Sequence, residues 1–188
     1  TGSATVINGA GGNNMFIYTS PSMGGAVFQA AYQNHASDAA ESYTDYSVVV
    51  TPEAMDGLTF GAAIADHTVA AAASTDVEEN TIFATYAVGS MTLGVQFSDY
   101  DHDTAGSDQE STAVGISYAL NDDVSISYNR HDLETESTTD QDQESTGISA
   151  SFTSGGMTLA GSMNDVDNIA GTATRDAEGY EFTLSFAF

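Results

Sequence analysis

The sequence contains no cysteine, no tryptophan and no lysine, and its only arginines are Arg130 and Arg175. Without cysteine, the chain can form neither a disulfide scaffold nor a thiolate metal site. Because 27 acidic residues oppose these two arginines, the formal net charge is −25. Such a charge repels phosphate, and it excludes nucleic acid as a partner.

Long apolar runs are also absent. A membrane-spanning helix needs roughly 18 or more apolar residues, whereas the longest apolar runs, such as 48–50 and 69–73, are short. This excludes a helical span but not a span made of strands. The start of the chain, Thr1-Gly2-Ser3, has neither the basic nor the apolar region of a signal peptide. We therefore expect any such signal to lie outside these residues.

A two-residue alternation dominates the sequence that remains. At the end of the chain, Tyr180, Phe182, Leu184, Phe186 and Phe188 alternate with Glu181, Thr183, Ser185 and Ala187. This period predicts a strand with one apolar and one polar face. With the similar segments, about eleven strands are predicted, and no helix-period segment competes with them. The other ten segments are 14–20, 25–34, 42–51, 58–65, 79–88, 91–98, 113–120, 124–129, 147–152 and 157–163.

The predicted connections alternate in length. Short ones at 21–24, 52–57, 89–90, 121–123 and 154–156 separate long ones at 35–41, 66–78, 99–110, 132–144 and 164–178. In an up-and-down meander, every second connection lies on the same side, so all long loops share one rim. Most acidic residues fall in the long loops or at the strand ends beside them. The belt left free of charge suits a bilayer, and the sequence predicts an all-β, antiparallel up-and-down transmembrane β-barrel.

The alternative is a soluble β-sandwich, in which the apolar face would form a core. Two features favour the barrel: the second face carries small polar residues, and tyrosines lie near both ends of the strands, as in an interfacial girdle. These tyrosines are Tyr18, Tyr32, Tyr46, Tyr86, Tyr118, Tyr128 and Tyr180.

Two motifs carry a family resemblance. The segment FIYTSPSMGGAVF at 16–28 resembles the YxSPxxGG hairpin of Gram-negative general diffusion porins. The terminal segment YEFTLSFAF at 180–188 resembles their C-terminal assembly signal, formed here by Tyr180, Phe182, Leu184, Phe186 and Phe188. Together with the meander, the resemblance covers nearly the whole chain. It implies a barrel of about sixteen strands, a homotrimer, and a loop that narrows the pore just before the first motif.

Strand parity adds an expectation about the rest of the barrel. If the chain ends on the periplasmic side, counting back through eleven strands makes the first strand run from the long-loop side to the periplasmic side. A complete barrel has an even number of strands and both termini on the periplasmic side. We therefore expect this chain to lack an odd number of N-terminal strands. The resemblance implies five, so we expect residues 1–188 to form one incomplete barrel domain, with residues 1–13 as the tail of the constriction loop.

The function that the resemblance implies is passive diffusion of small hydrophilic solutes and ions across the bacterial outer membrane. The long loops would be extracellular and the C-terminus periplasmic. We expect no catalysis, since no GxSxG motif occurs. The predicted pore wall consists of small polar residues from the polar face of the strands, namely Gln29, Thr59, Thr85, Gln96, Ser117, Ser127, Ser149, Thr158, Glu181 and Thr183.

Charge predicts cation selectivity, because an acidic mouth repels anions over about one Debye length, roughly 8–10 Å. The chain departs here from its relatives, which commonly place several arginines opposite an acidic constriction loop. Arg130 lies near the predicted outer rim and Arg175 in a long loop.

The acidic loop 99–110 has a spacing similar to an EF-hand, with Asp99, Asp101, Asp103 and Glu110 at positions 1, 3, 5 and 12. It lacks the glycine at position 6 and is flanked by strands. A hydrated loop is therefore favoured over a specific Ca²⁺ site, although loosely bound Ca²⁺ or Mg²⁺ stays open. No other cofactor is expected.

Four histidines, His35, His67, His102 and His131, fall in or beside the long loops. No pair has the spacing of a zinc site, which favours solvated loop histidines. A second functional class stays open on the sequence alone. The chain could be a non-transporting acidic surface barrel, or an extracellular β-protein that acts in adhesion or divalent-ion binding.

Overall fold

The computed structural model describes residues 15–34, 42–68, 76–103, 106–136 and 142–187. They form one antiparallel sheet whose strands follow each other in chain order, so the predicted up-and-down meander of eleven strands is confirmed. Within these ranges the sheet is open, because β1 pairs only with β2 and β11 only with β10. The strands are β1 (Met15–Thr19), β2 (Ala26–Asn34), β3 (Ser42–Val50), β4 (Leu58–Thr68), β5 (Val77–Val88), β6 (Met91–His102), β7 (Gln109–Ala119), β8 (Val124–Thr135), β9 (Gln143–Ser154), β10 (Met157–Asp167) and β11 (Ala177–Phe186).

The strands extend further toward the long-loop rim than the sequence pattern predicts. β6 continues to His102 and β7 begins at Gln109, so half of the predicted loop 99–110 is strand. The bounds predicted for the loops at 66–78, 132–144 and 164–178 are wrong for the same reason. Beyond the apolar belt the apolar residues of one face give way to carboxylates, so the apolar–polar alternation ends although the hydrogen-bonded ladder continues.

Helical structure is almost absent from the described ranges. A single 3-10 turn, Ile169–Gly171, lies between β10 and β11. No helix in this part of the chain is both long enough and apolar enough to cross a membrane.

The sheet has two faces, and cross-strand partners lie on the same one. One row of partners is formed by Leu93, Ile116, Tyr128, Ile148 and Met163. We call the face that carries this row the apolar face. The adjacent row on the opposite face is formed by Thr92, Ser117, Ser127, Ser149, Ser162 and Glu181. We call that face the polar face.

The large side chains of the apolar face are exposed. Phe182 and Tyr180 are each 79% exposed, and Phe186 is 56% exposed. The seven tyrosines of the predicted girdle all lie on this face and are all exposed. A soluble sandwich would bury such side chains in a core. The described residues contain no such core, so the apolar face needs an apolar environment outside the chain.

The short turns form a hydrogen-bonded rim at the other end of the sheet. A carbonyl in the turn accepts a hydrogen bond from an amide at the end of the neighbouring strand. The amide of Thr51 donates to the carbonyl of Gly25 at 2.9 Å, and the amide of Ala87 donates to the carbonyl of Gly57 at 2.9 Å. Gly25 and Gly57 have φ angles of 84° and 81°, and a Cβ atom on either would collide with the neighbouring carbonyl, that of Thr51 or Ala87. Only glycine fits both constraints.

Candidate pore wall

All ten residues of the predicted pore wall lie on the polar face, spread over nine strands from β2 to β11. Their role as a pore lining stays a prediction. The residues of the predicted assembly signal lie on the apolar face of β11, from Tyr180 to Phe186. Phe188 and residues 1–13 lie outside the described residues.

Hydroxyl groups pair across neighbouring strands of the polar face. The Oγ atoms of Ser127 and Ser149 are 2.8 Å apart, as are those of Ser125 and Ser151. Near the short-turn rim, the hydroxyls of Thr153 and Thr158 are 3.0 Å apart. Each hydroxyl can still accept a hydrogen bond from water or a solute, so these pairs form an ordered and wettable surface.

Two carboxamides lie over a glycine on the same face. Asn129 of β8 and Asn164 of β10 are the direct partners of Gly147 in β9. Their Oδ1 atoms lie 2.6 and 2.8 Å from the position that a Cβ atom on Gly147 would occupy. Gly147 is buried beneath them, whereas both asparagines are exposed. Sequence reasoning missed this pair, although a glycine inside a strand is a signal of close approach by another group.

The two faces also differ in their carboxylates. Asp45, Glu79 and Glu181 lie on the polar face, where Glu181 accepts a hydrogen bond of 3.2 Å from the hydroxyl of Thr183. The other carboxylates of the described strands lie on the apolar face, beyond its apolar belt at the long-loop end. This carboxylate girdle comprises Asp66, Glu78, Asp99, Asp101, Glu110, Asp132, Glu134, Glu144, Asp165, Asp167 and Glu178.

Like charges face each other directly within the girdle. Asp99 is the partner of Glu110, and Glu110 in turn is the partner of Glu134. Directly opposed like charges destabilise a sheet. Asp132 and Glu144 also face each other, and Arg130 offsets the repulsion of this pair, since its Nη2 atom lies 2.9 Å from Asp132 and 2.8 Å from Glu144. Arg175 precedes β11 in the loop after the 3-10 turn.

The residues of the predicted calcium site do not form an EF-hand loop. Asp99 and Asp101 lie in β6, Asp103 follows that strand, and Glu110 lies in β7. Within the ranges that the structure describes, no three histidine or acidic side chains converge as metal ligands would. The calcium site stays a prediction that binding measurements can test.

Three of the four histidines lie in strands rather than in loops. His67, His102 and His131 belong to β4, β6 and β8, toward the strand ends beside the long loops as predicted, but they are half-buried rather than solvated loop side chains. The ring of His67 meets Tyr43 edge-on with centroids 6.4 Å apart, and His102 stacks on Tyr100 at 6.2 Å. His35 lies outside the described residues.

Comparison with known proteins gives both sequence and fold matches. Residues 1–141 match the family model described as Gram-negative porin. Among solved structures, the anion-selective porin from Comamonas acidovorans is 17% identical, with a TM-score of 0.80 over 94% of this chain and 60% of that one. A porin structure refined at 1.8 Å is 14% identical, with a TM-score of 0.75 over 93% of this chain and 60% of that one.

A third fold match is OmpT, an outer membrane protein of Vibrio cholerae. It is 13% identical, with a TM-score of 0.68 over 93% of this chain and 64% of that one. The chain thus spans less than two thirds of the length of each of these three structures. No curated protein matches it in sequence.

Proposed function

The chain belongs to the Gram-negative porin family, and from this membership we propose that it forms a passive diffusion channel for small hydrophilic solutes and ions. As a member of this family it is an outer-membrane protein. We expect no catalysis, because a diffusion channel needs only an aqueous lumen of suitable width and field.

The observation that carries this proposal is the difference between the two faces of one sheet. On the apolar face, large side chains such as Phe97 and Ile82 are 47% and 57% exposed. On the polar face, the paired serines and the two asparagines present hydrogen-bonding groups. A bilayer around a water-filled barrel satisfies both faces at once, because hydrocarbon covers the first and lumen water hydrates the second.

The open edges at β1 and β11 need partners in a bilayer, since hydrocarbon offers nothing to unpaired backbone groups. We propose that strands outside these residues close the barrel, for a total of about sixteen. Residues 1–13 then belong to the constriction loop that precedes β1. The proposed assembly is a homotrimer with its long loops extracellular and its C-terminus periplasmic.

The proposed channel prefers cations. The carboxylates of Asp45, Glu79 and Glu181 lie on the lumen side, and the carboxylate girdle stands around the outer rim. The porin from Comamonas acidovorans is described as anion-selective, but a shared fold leaves selectivity to the charges on each wall. No arginine lies on the polar face of the described strands that would offset these three carboxylates.

Conductance of the intact protein in a planar lipid bilayer tests the proposal. We expect stable open channels, and a reversal potential in a potassium chloride gradient that favours potassium. A protein that inserts but never conducts would overturn the channel function. A reversal potential that favours chloride would overturn only the cation preference.

A further inference from the structure

The loop between β10 and β11, residues 168–176, folds over the polar face. The amide of Ala170 donates a hydrogen bond of 3.0 Å to Oε1 of Gln143. Gln143 belongs to the polar face, because its cross-strand partner is Leu133, which follows Ser111 and Ser98 in the same row. The Nδ2 atom of Asn168 also donates a bond of 3.1 Å to the carbonyl of Asp142. The loop therefore crosses the start of β9 instead of continuing beyond the rim.

Burial is deep where the loop crosses the strands. Gln143 is 1% exposed, its partner Leu133 is 4% exposed, and Ile169 at the tip of the loop is 6% exposed. Two apolar side chains and one carboxamide thus leave water where the loop meets the strands. The burial of Ile169 favours the folded position of the loop.

The backbone of the loop is held in an unusual shape. Asn168, Ala170 and Thr174 have φ angles of 52°, 55° and 69°, a left-handed region that non-glycine residues rarely adopt. Two bonds across the loop hold this shape: Ile169 donates to the carbonyl of Arg175 at 2.8 Å, and Asn168 donates to Oδ1 of Asp176 at 3.1 Å. Strain of this kind persists only where the surrounding contacts enforce it.

The carboxamide of Gln143 makes this contact with only one of its two polar atoms. Its Oε1 atom accepts the bond from the loop, while its Nε2 atom is buried and finds no hydrogen-bond partner among the described residues. A buried carboxamide with one unmatched donor is unfavourable. The side chain nevertheless holds Ala170 over the polar face through its Oε1 atom.

We propose that the 168–176 loop, held by Gln143, narrows the outer mouth of the channel and sets the largest neutral solute that passes. The inference rests on the proposed function, since the polar face must line the lumen. Gln143 is then a positioning residue, because it acts on solute size through the loop that it holds in place.

Swelling of liposomes that contain the intact protein measures this size limit. The probes are arabinose and the larger neutral sugar raffinose, and the variants are Gln143→Ala and, for comparison, Gln109→Ala. Gln109 lies on the polar face at the same end of the sheet, in β7. We expect Gln143→Ala to raise the ratio of raffinose to arabinose rates about threefold, since a wider mouth favours the larger solute. Gln109→Ala should leave the ratio unchanged.

A second measurement does not depend on removing the glutamine. Because the chain has no cysteine, Ala170→Cys provides a single thiol on the exposed side of the loop. A charged, bulky thiol reagent should lower the single-channel conductance of this variant. It should leave the conductance of the wild-type protein unchanged. This measurement also decides the matter if Gln143→Ala does not fold.

The outcomes separate the two proposals. If the wild-type protein admits arabinose but the sugar ratio stays the same in Gln143→Ala and the thiol reagent has no effect, the role of the loop is wrong and the channel stands. If the wild-type protein admits no sugar at all, both proposals fall.

Discussion

At the residue scale, the glycines of the short turns show how one missing side chain decides a local structure. Gly24 and Gly25 are neighbours with φ angles of 61° and 84°. A Cβ atom on Gly24 would meet nothing within 4 Å, whereas one on Gly25 would collide with the carbonyl of Thr51. The pair separates the cost of a left-handed backbone from the cost of a collision.

We therefore expect Gly25→Ala to lower the free energy of unfolding clearly more than Gly24→Ala. Left-handed strain costs about 1–2 kcal/mol in either variant, and Gly25→Ala must also displace the Thr51 end of β3. Thermal unfolding in detergent, followed by circular dichroism, gives the two values. Equal losses in both variants would show that the turn yields at no cost.

A second residue-scale prediction concerns the two faces. Ile116 lies on the apolar face and is 40% exposed, while the next residue, Ser117, lies on the polar face. Ile116→Arg should destabilise the protein by about 2–4 kcal/mol in lipid, because it places a charge in hydrocarbon. Ser117→Arg should have little effect on stability, since the side chain enters water. Denaturant unfolding in lipid vesicles measures both, and the opposite order would invert the assignment of the faces.

At the scale of the elements, the strand ends carry the carboxylate girdle. Glu110 stands directly between Asp99 and Glu134 on adjacent strands. We expect Glu110→Gln to raise the free energy of unfolding at low salt by about 0.2–1 kcal/mol, because it removes two like-charge contacts. The gain should shrink as salt screens the charges.

The matched control for this prediction is Glu53→Gln in a short turn. Glu53 is exposed and lies outside the girdle. Its neutralisation removes the same charge without changing a cross-strand pair. Equal gains in both variants would mean that net charge, rather than opposed pairs, determines the effect.

How far the sequence predicts these elements depends on where each residue lies. Between the rims the bilayer imposes apolar–polar alternation, so the sequence predicts strands such as 91–98 and 124–129. Each of these segments is part of a strand in the structure. Toward the long-loop rim the outer face carries carboxylates such as Asp99 and Asp132, so the contrast between an apolar and a polar face is lost. The position of the folded loop at 168–176 is harder to predict from the sequence, because it depends on Gln143, which is far from the loop in sequence. The asparagine pair over Gly147 depends in the same way on the register of three strands.

At the scale of the whole molecule, the proposed selectivity depends on which carboxylates reach the lumen. Neutralising Asp45, Glu79 and Glu181 together, as Asn, Gln and Gln, should lower the potassium-to-chloride permeability ratio severalfold. The control neutralises Asp99, Glu110 and Asp132 of the girdle, which lie on the other face and act only through the wall, within about one Debye length. Reversal potentials give both ratios. A larger effect from the girdle would place the selective charges at the rim.

Divalent ions provide a further test at this scale. With a net charge of −25 and no converging ligands among the described residues, we expect Ca²⁺ and Mg²⁺ to bind loosely and alike. Calorimetry should give weak heats in the millimolar range, and chelation should lower the unfolding temperature modestly through lost screening. A saturable micromolar Ca²⁺ site abolished by Asp101→Asn would instead establish a specific site at 99–110.

The bonded rim of short turns bears on how the protein exchanges hydrogen with solvent. Five amides at this rim each donate a hydrogen bond of 2.7–2.9 Å to a turn carbonyl, namely those of Thr51, Ala87, Ala119, Thr153 and Ala187. Strand ends commonly fray, but each of these terminal amides has a backbone acceptor in the neighbouring turn. Deuterium uptake at these five amides should therefore be slow, although water surrounds this rim.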